Sequence, residues 1–206
     1  MQDVRTLSAR QLDALREVAN IGAGHAATAL SQMTDETIMI SMPRLAVSGV
    51  DELPGLLAAS EEPVAAVLLH MVGDLQGLSV LTFSHTSAMR LAELMSRRSA
   101  GSCTEVGAYE QSAVQEAGNI LSSAYLNALA EFMGMVLLPT PPKLAVGLSH
   151  AALADAVRAS CGAASVVFMM ETEFFLKDRN EPLRGLYFML PDAGSLDQIL
   201  HAVRLG

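Results

Sequence analysis

One short pattern occurs twice in this chain, and its spacing limits the possible folds more than any other feature. Asp13, Glu17 and Asn20 read D-x3-E-x2-N, and Ser112, Glu116 and Asn119 read S-x3-E-x2-N. Each member of the second set follows its counterpart by 99 residues, and Pro43 and Pro142 each follow the Asn of their own copy by 23. Spacing this regular is the mark of an internal duplication. A chain of 206 residues is then read as one domain made of two repeats, about 8–99 and 104–205.

Steps of four and three residues return to the same side of a helix. Asp13, Glu17, Asn20 and Gly24 therefore form one stripe, and Ser112, Glu116, Asn119 and Ser123 another. Leu15, Val18, Gly22, Ala26, Ala29 and Met33 fall on the opposite, core side of the first helix; Val114, Leu121, Tyr125, Ala128 and Phe132 do so on the second. Any solvated helix face can carry Glu and Asn. Asn is a poor helix former, however, and costs about half a kcal/mol relative to Ala. A duplicated fold has no structural need to keep an exposed Asn three residues after a Glu in both copies.

The rest of the chain follows the same order twice. Ser8 with Gln11 predicts a capping box opening a helix from about Ala9 to Met33. Residues 37–42 read as a strand ending near Pro43, and 51–62 as a loop. Val64 to Met71 and Leu75 to Phe83 predict a hairpin turning at Val72-Gly73-Asp74, and His85 to Arg98 a helix. Arg97 and Arg98 suit that helix's C-terminus, with phosphate binding the lesser alternative. In the second half a helix is predicted over 104–132, with a break at Gly107. Extended chain follows around Pro139-Thr-Pro-Pro142, then a short helix at 151–159, a hairpin over 166–176 and 183–190, and a last helix over 193–204. Leu75-Gln-Gly-Leu78 and Leu183-Arg-Gly-Leu186 open equivalent strands. The predicted class is α+β: duplicated helix–strand–hairpin–helix halves with a largely antiparallel sheet.

The stretches Glu17-Val-Ala-Asn20-Ile-Gly-Ala-Gly-His and Glu116-Ala-Gly-Asn119-Ile-Leu-Ser-Ser, each with its proline downstream, resemble the CheC phosphatases of bacterial chemotaxis. The resemblance covers essentially the whole chain. It implies that the halves are related by a pseudo-twofold axis and that both motif helices are exposed. It implies hydrolysis of the aspartyl phosphate on the CheY receiver, with Glu17, Asn20, Glu116 and Asn119 as catalytic residues. It also implies a second partner, the receptor deamidase CheD, docking on the helix after the second proline around Asp155.

The residue inventory is consistent with that substrate. No glycine-rich phosphate loop and no metal cluster is present. A Glu and an Asn are a weak set for an inert ester, but they suffice for a mixed anhydride already primed to hydrolyse. The Asn amide carries donors and an acceptor and can orient a water. The Glu is assigned to pairing with the receiver's active-site lysine. No cofactor is expected in this chain; the Mg²⁺ is expected to come with the receiver. Asp13 and Ser112 are docking contacts or simple helix solvation. Ile21 and Ile120 are read as contacts with the receiver. The alternative is a non-catalytic adaptor for CheD or the flagellar switch.

Net charge −9 argues against nucleic acid and anionic membranes. The absence of an apolar run of membrane length argues against insertion. Cys103, Cys161 and five scattered His residues lack metal spacing, so no metal site is expected and the thiols suit the cytoplasm.

Overall fold

The computed structural model describes residues 8–53, 55, 62–103, 105, 107–160, 166–177 and 181–205. Among the described residues the α-helices are α1 (Ala9–Thr34), α2 (His85–Met95), α3 (Ala108–Met133), α4 (His150–Ser160) and α5 (Ala193–Leu205). Eight strands are β1 (Ile38–Ile40), β2 (Arg44–Gly49), β3 (Val64–Gly73), β4 (Gly77–Ser84), β5 (Leu137–Pro139), β6 (Lys143–Leu148), β7 (Val166–Leu176) and β8 (Glu181–Pro191). All pair antiparallel in one sheet of order β1-β7-β8-β4-β3-β5, with β2 also on β7 and β6 also on β3. The α+β class and the duplication are as the sequence indicated.

The duplication is exact in length where the motif lies. Every boundary of α1, β1 and β2 maps onto α3, β5 and β6 by the same 99 residues. Beyond Gly49 and Leu148 the offset drifts, and it reaches 108 in β4 and β8, where Leu78 corresponds to Leu186. Val80 pairs with Phe188, its own counterpart at that offset, so the pseudo-twofold axis passes through the β4–β8 pair at the sheet centre. Each half lends its post-helix strands to the other: β1 and β2 lie on β7, and β5 and β6 on β3.

Strand alternation divides the core in two. Leu81, Phe83, Phe168, Phe174, Tyr187 and Met189 face α1, α2, α3 and α5. Leu78, Val80, Phe188 and Leu190 face the other way, under Leu153, Ala154 and Val157 of α4. At the first core's centre the rings of Tyr125 and Tyr187 stack with centroids 4.6 Å apart. The Tyr125 hydroxyl lies 2.8 Å from that of Thr172, and Ser79 donates to the Tyr187 hydroxyl at 3.0 Å.

Some expectations need correction. Ala29 and Met33 are only half-buried and Phe132 is exposed; the buried arc of α1 runs instead through Ala19, Ala23 and Leu30. The reason is that α1 packs on α3 as well as on the sheet. Strand β2 went unseen, because Arg44–Gly49 has only two apolar residues larger than alanine. The β3–β4 turn falls at 74–76, not 72–74. Helix α2 stops at Met95, and Arg97 adopts a left-handed φ of 54°. The expected turn residues 178–180 lie outside those described.

Candidate functional site

A capping box sets the start of α1: Gln11 donates its backbone N–H to Ser8 Oγ, and Ser8 N–H returns to Gln11 Oε1 at 2.9 Å. Helix α3 begins after Gly107 with no side-chain cap. Its first turn is fastened from outside instead. Arg98 Nη1 meets Glu110 Oε1 at 2.7 Å and lies over the Tyr109 ring. Arg97 and Arg98 close the C-terminus of α2, their backbone N–H groups donating to Leu94 O and Glu93 O at 3.0 and 2.8 Å, and the Arg98 side chain also bridges to the next motif helix. Burial raises the proton affinity of Glu93, but backbone donation from Cys103 and Gly101 and the nearby Arg90 outweigh it and hold this carboxyl below its usual range. Glu93 is almost fully enclosed and ties α2 to the connector that leads into α3.

On these helices Glu17 and Glu116 are exposed, and Asn20 and Asn119 are half-buried. The Asn residues sit nearer the core than expected because the buried arc includes their neighbours Ala19 and Gly118. Among the described residues, none of these four side chains has a hydrogen-bonded or ionic partner. Their neighbours are engaged: Arg16 pairs with Asp13 at 2.9 Å, and Gln115 Nε2 donates to Pro142 O at 2.7 Å. The Asp13–Arg16 pair is exposed and contributes little to stability. Ser112 is exposed, Ile21 is 40% exposed, and Ile120 is half-buried. The two stripes are thus open helix faces with unengaged amide and carboxylate groups. Asp155 is exposed on α4, across the sheet from the motif helices.

The prolines mark a β-bulge. Between Ile40 and Arg44 the register against β7 slips by one residue, and between Pro139 and Lys143 it slips likewise against β3. A hydroxyl fills the broken ladder in each copy. Ser41 N–H donates to Glu173 O at 2.9 Å, and Ser41 Oγ accepts from Glu173 N–H at 3.2 Å. Thr140 does the same with His70, at 2.9 and 3.0 Å. The 23-residue interval then has a geometric meaning. From Asn20 the helix climbs about 21 Å to its end, and the extended chain returns by about 20 Å before reaching Pro43. The bulge therefore lies level with the Asn. Sequence reading did not single out Ser41, Thr140, Gln115 or Glu93; the 99-residue offset alone, applied to hydroxyl residues, would have found the first two.

Among the described residues there is no group of three or more His, Cys, Asp or Glu side chains able to hold a metal, and no helix is long and apolar enough to cross a membrane. Cys103 is a half-buried free thiol; Cys161 lies outside the described residues.

The family model described as CheC-like matches residues 11–46 and 110–145, which are the helix, return and bulge of each copy. The chain is 29% identical over 195 residues to the CheY-P phosphatase CheC of Bacillus subtilis, covering 94% of this chain and 93% of that one. It is 27% identical over 143 residues to the flagellar motor switch phosphatase FliY of the same organism, covering 69% of this chain and 37% of that longer protein. The crystal structure of Thermotoga maritima FliY matches the fold with a TM-score of 0.80 at 21% identity, over 97% of this chain and 98% of that one.

Proposed function

The chain belongs to the CheC-like family, and from that membership we propose that it hydrolyses the aspartyl phosphate of a phosphorylated CheY-type receiver at two sites, Glu17/Asn20 and Glu116/Asn119. The observation that carries this reading is the pair of equivalent, open helix faces on which these four polar side chains have no partner within the described structure. Groups that serve only the fold would be engaged by it, as Glu93 is.

The division of labour follows from what each partner carries. The receiver supplies the phosphoryl group, its lysine and its Mg²⁺. The Asn amide enters beside the phosphorus and holds the attacking water in line, a task of positioning rather than proton abstraction. The Glu carboxylate pairs with the receiver lysine and docks the helix. Ile21 and Ile120 supply apolar contact area beside each pair, with Asp13 and Ser112 one turn earlier at the rim. Docking of the deamidase CheD around Asp155 would use the opposite side of the sheet, leaving both receiver faces open.

The test is a phosphate-release time course on the phosphorylated receiver. Asn20→Ala with Asn119→Ala is expected to lose stimulated release by on the order of 10²-fold or more, while each single variant retains the share of its surviving site. Neither truncation opens a core cavity, so the melting temperature should hold. A folded double variant that still works at the parent rate removes the water-positioning role and leaves a binding adaptor.

A further inference from the structure

The two copies differ in how the bulge is attached to its helix. In the second, half-buried Gln115 donates to Pro142 O at 2.7 Å and spans from α3 to the last residue before β6. In the first, the counterpart is Arg16, which turns outward to Asp13 and stays 53% exposed. One turn earlier the copies differ as well: Asp13 pairs with Arg16, whereas its counterpart Ser112 carries no carboxylate. The bulges themselves differ in the same sense. Thr140-Pro141-Pro142 has two φ angles fixed by proline rings, whereas Ser41-Met42-Pro43 has one, with Met42 80% exposed at its tip.

We propose that Gln115 is a positioning residue of the second site alone: it holds the 140–142 bulge against α3, so that the surface beside Glu116 and Asn119 is preformed for the receiver, while the first site has a bulge that must be ordered on docking. The proposal rests on the receiver-phosphatase reading above. A preformed surface loses less conformational freedom on association. The difference between the sites therefore belongs to docking rather than to the chemical step.

The experiment isolates each site. Gln115→Glu keeps the side chain's size but replaces the amide donor with an acceptor that repels the Pro142 carbonyl. In an Asn20→Ala background, where only the second site works, this change is expected to raise KM for the phosphorylated receiver roughly three- to tenfold with kcat little altered. Gln115→Lys retains an N–H donor of similar reach and should restore most of the loss. In an Asn119→Ala background neither change should matter. Amide hydrogen exchange at Thr140, Lys143 and Leu144 should quicken in Gln115→Glu, with Ser41, Met42, Arg44 and Leu45 unchanged. Equal losses in both backgrounds would show a general structural role and overturn the proposal. So would unaltered exchange, or quickened exchange with unaltered KM. If the parent chain does not accelerate dephosphorylation at all, the phosphatase reading fails. The tether is then decided by exchange and by binding of a beryllofluoride-activated receiver to the Asn20→Ala protein, where unchanged affinity in Gln115→Glu overturns it.

Discussion

Two glycines two positions apart on α1 show how sharply a single residue's surroundings decide its part. A Cβ placed on Gly22 would stand 2.8 Å from Tyr125 Cδ1 and 3.0 Å from the Tyr125 Cα, so it meets backbone as well as a ring. The close approach of α1 and α3 depends on its absence. Gly22→Ala should gain up to about 1 kcal/mol in helix propensity yet lose about 1–3 kcal/mol by forcing the helices apart, a net loss visible in urea unfolding. A Cβ on Gly24 would meet nothing within 4 Å. Gly24→Ala should therefore raise stability by about 0.5–1 kcal/mol. Position 24 continues the Glu17/Asn20 stripe, so the same variant is expected to weaken first-site activity, measured in the Asn119→Ala background. Stability and activity moving in opposite directions at one exposed glycine would mark a surface that a partner must approach closely. A stabilised variant with unchanged first-site activity would place the receiver's contact nearer Asn20.

At the scale of elements, the join between α2 and α3 has a pH signature. The Glu93 carboxyl is held below the usual glutamate range in the folded state. Its contribution is therefore present above about pH 4.5 and is lost as pH falls through the lower folded value. Gln in its place removes the charge facing Arg90, 3.1 Å away, and should cost about 2 kcal/mol at pH 7. The Glu93→Gln protein should also lose less further stability than the parent between pH 5 and 3, as paired urea titrations would show. Equal acid sensitivity in both proteins would mean that Glu93 is not held below its usual pKa. This join was illegible in the sequence because its bonds link side chains to a turn, and no periodicity records that. The motif helices were legible: the capping box of α1, the length of both helices and the Glu/Asn stripe are local and periodic. Even there the core arc was misread at Met33 and Phe132, because its width depends on how α1 and α3 pack on each other. Strand β2 was missed for a related reason. Its place comes from pairing with β7, more than a hundred residues away, and not from the apolar content of Arg44–Gly49. The open faces of Glu17 and Glu116 were readable from spacing, whereas the attachment of Gln115 to Pro142 needed the bulge to be in place.

For the whole molecule the controlling fact is the exchange of strands between halves. Residues 1–100 contain β1 and β2 without β7, β3 without β5 and β6, and β4 without its central partner β8. Each would be left with an unpaired edge, and the face of α1 that packs on Tyr125 and Ala128 would be open. Edges and apolar faces of that extent do not persist in a stable monomer. The fragment 1–100 is thus expected to lack a cooperative melt as a monomer. Mixed with 101–206 it should recover the intact chain's circular dichroism and a single transition. The pseudo-twofold axis through Val80 and Phe188 adds a sharper expectation. If the first fragment folds alone at high concentration, it should do so as a dimer, with a second copy supplying strands in place of the missing half. Light scattering with a thermal melt separates these cases. A monomeric 1–100 that melts cooperatively would show that the exchanged strands are dispensable. The exact 99-residue correspondence of α1–β2 with α3–β6 would then reflect two independent units rather than one sheet built across both.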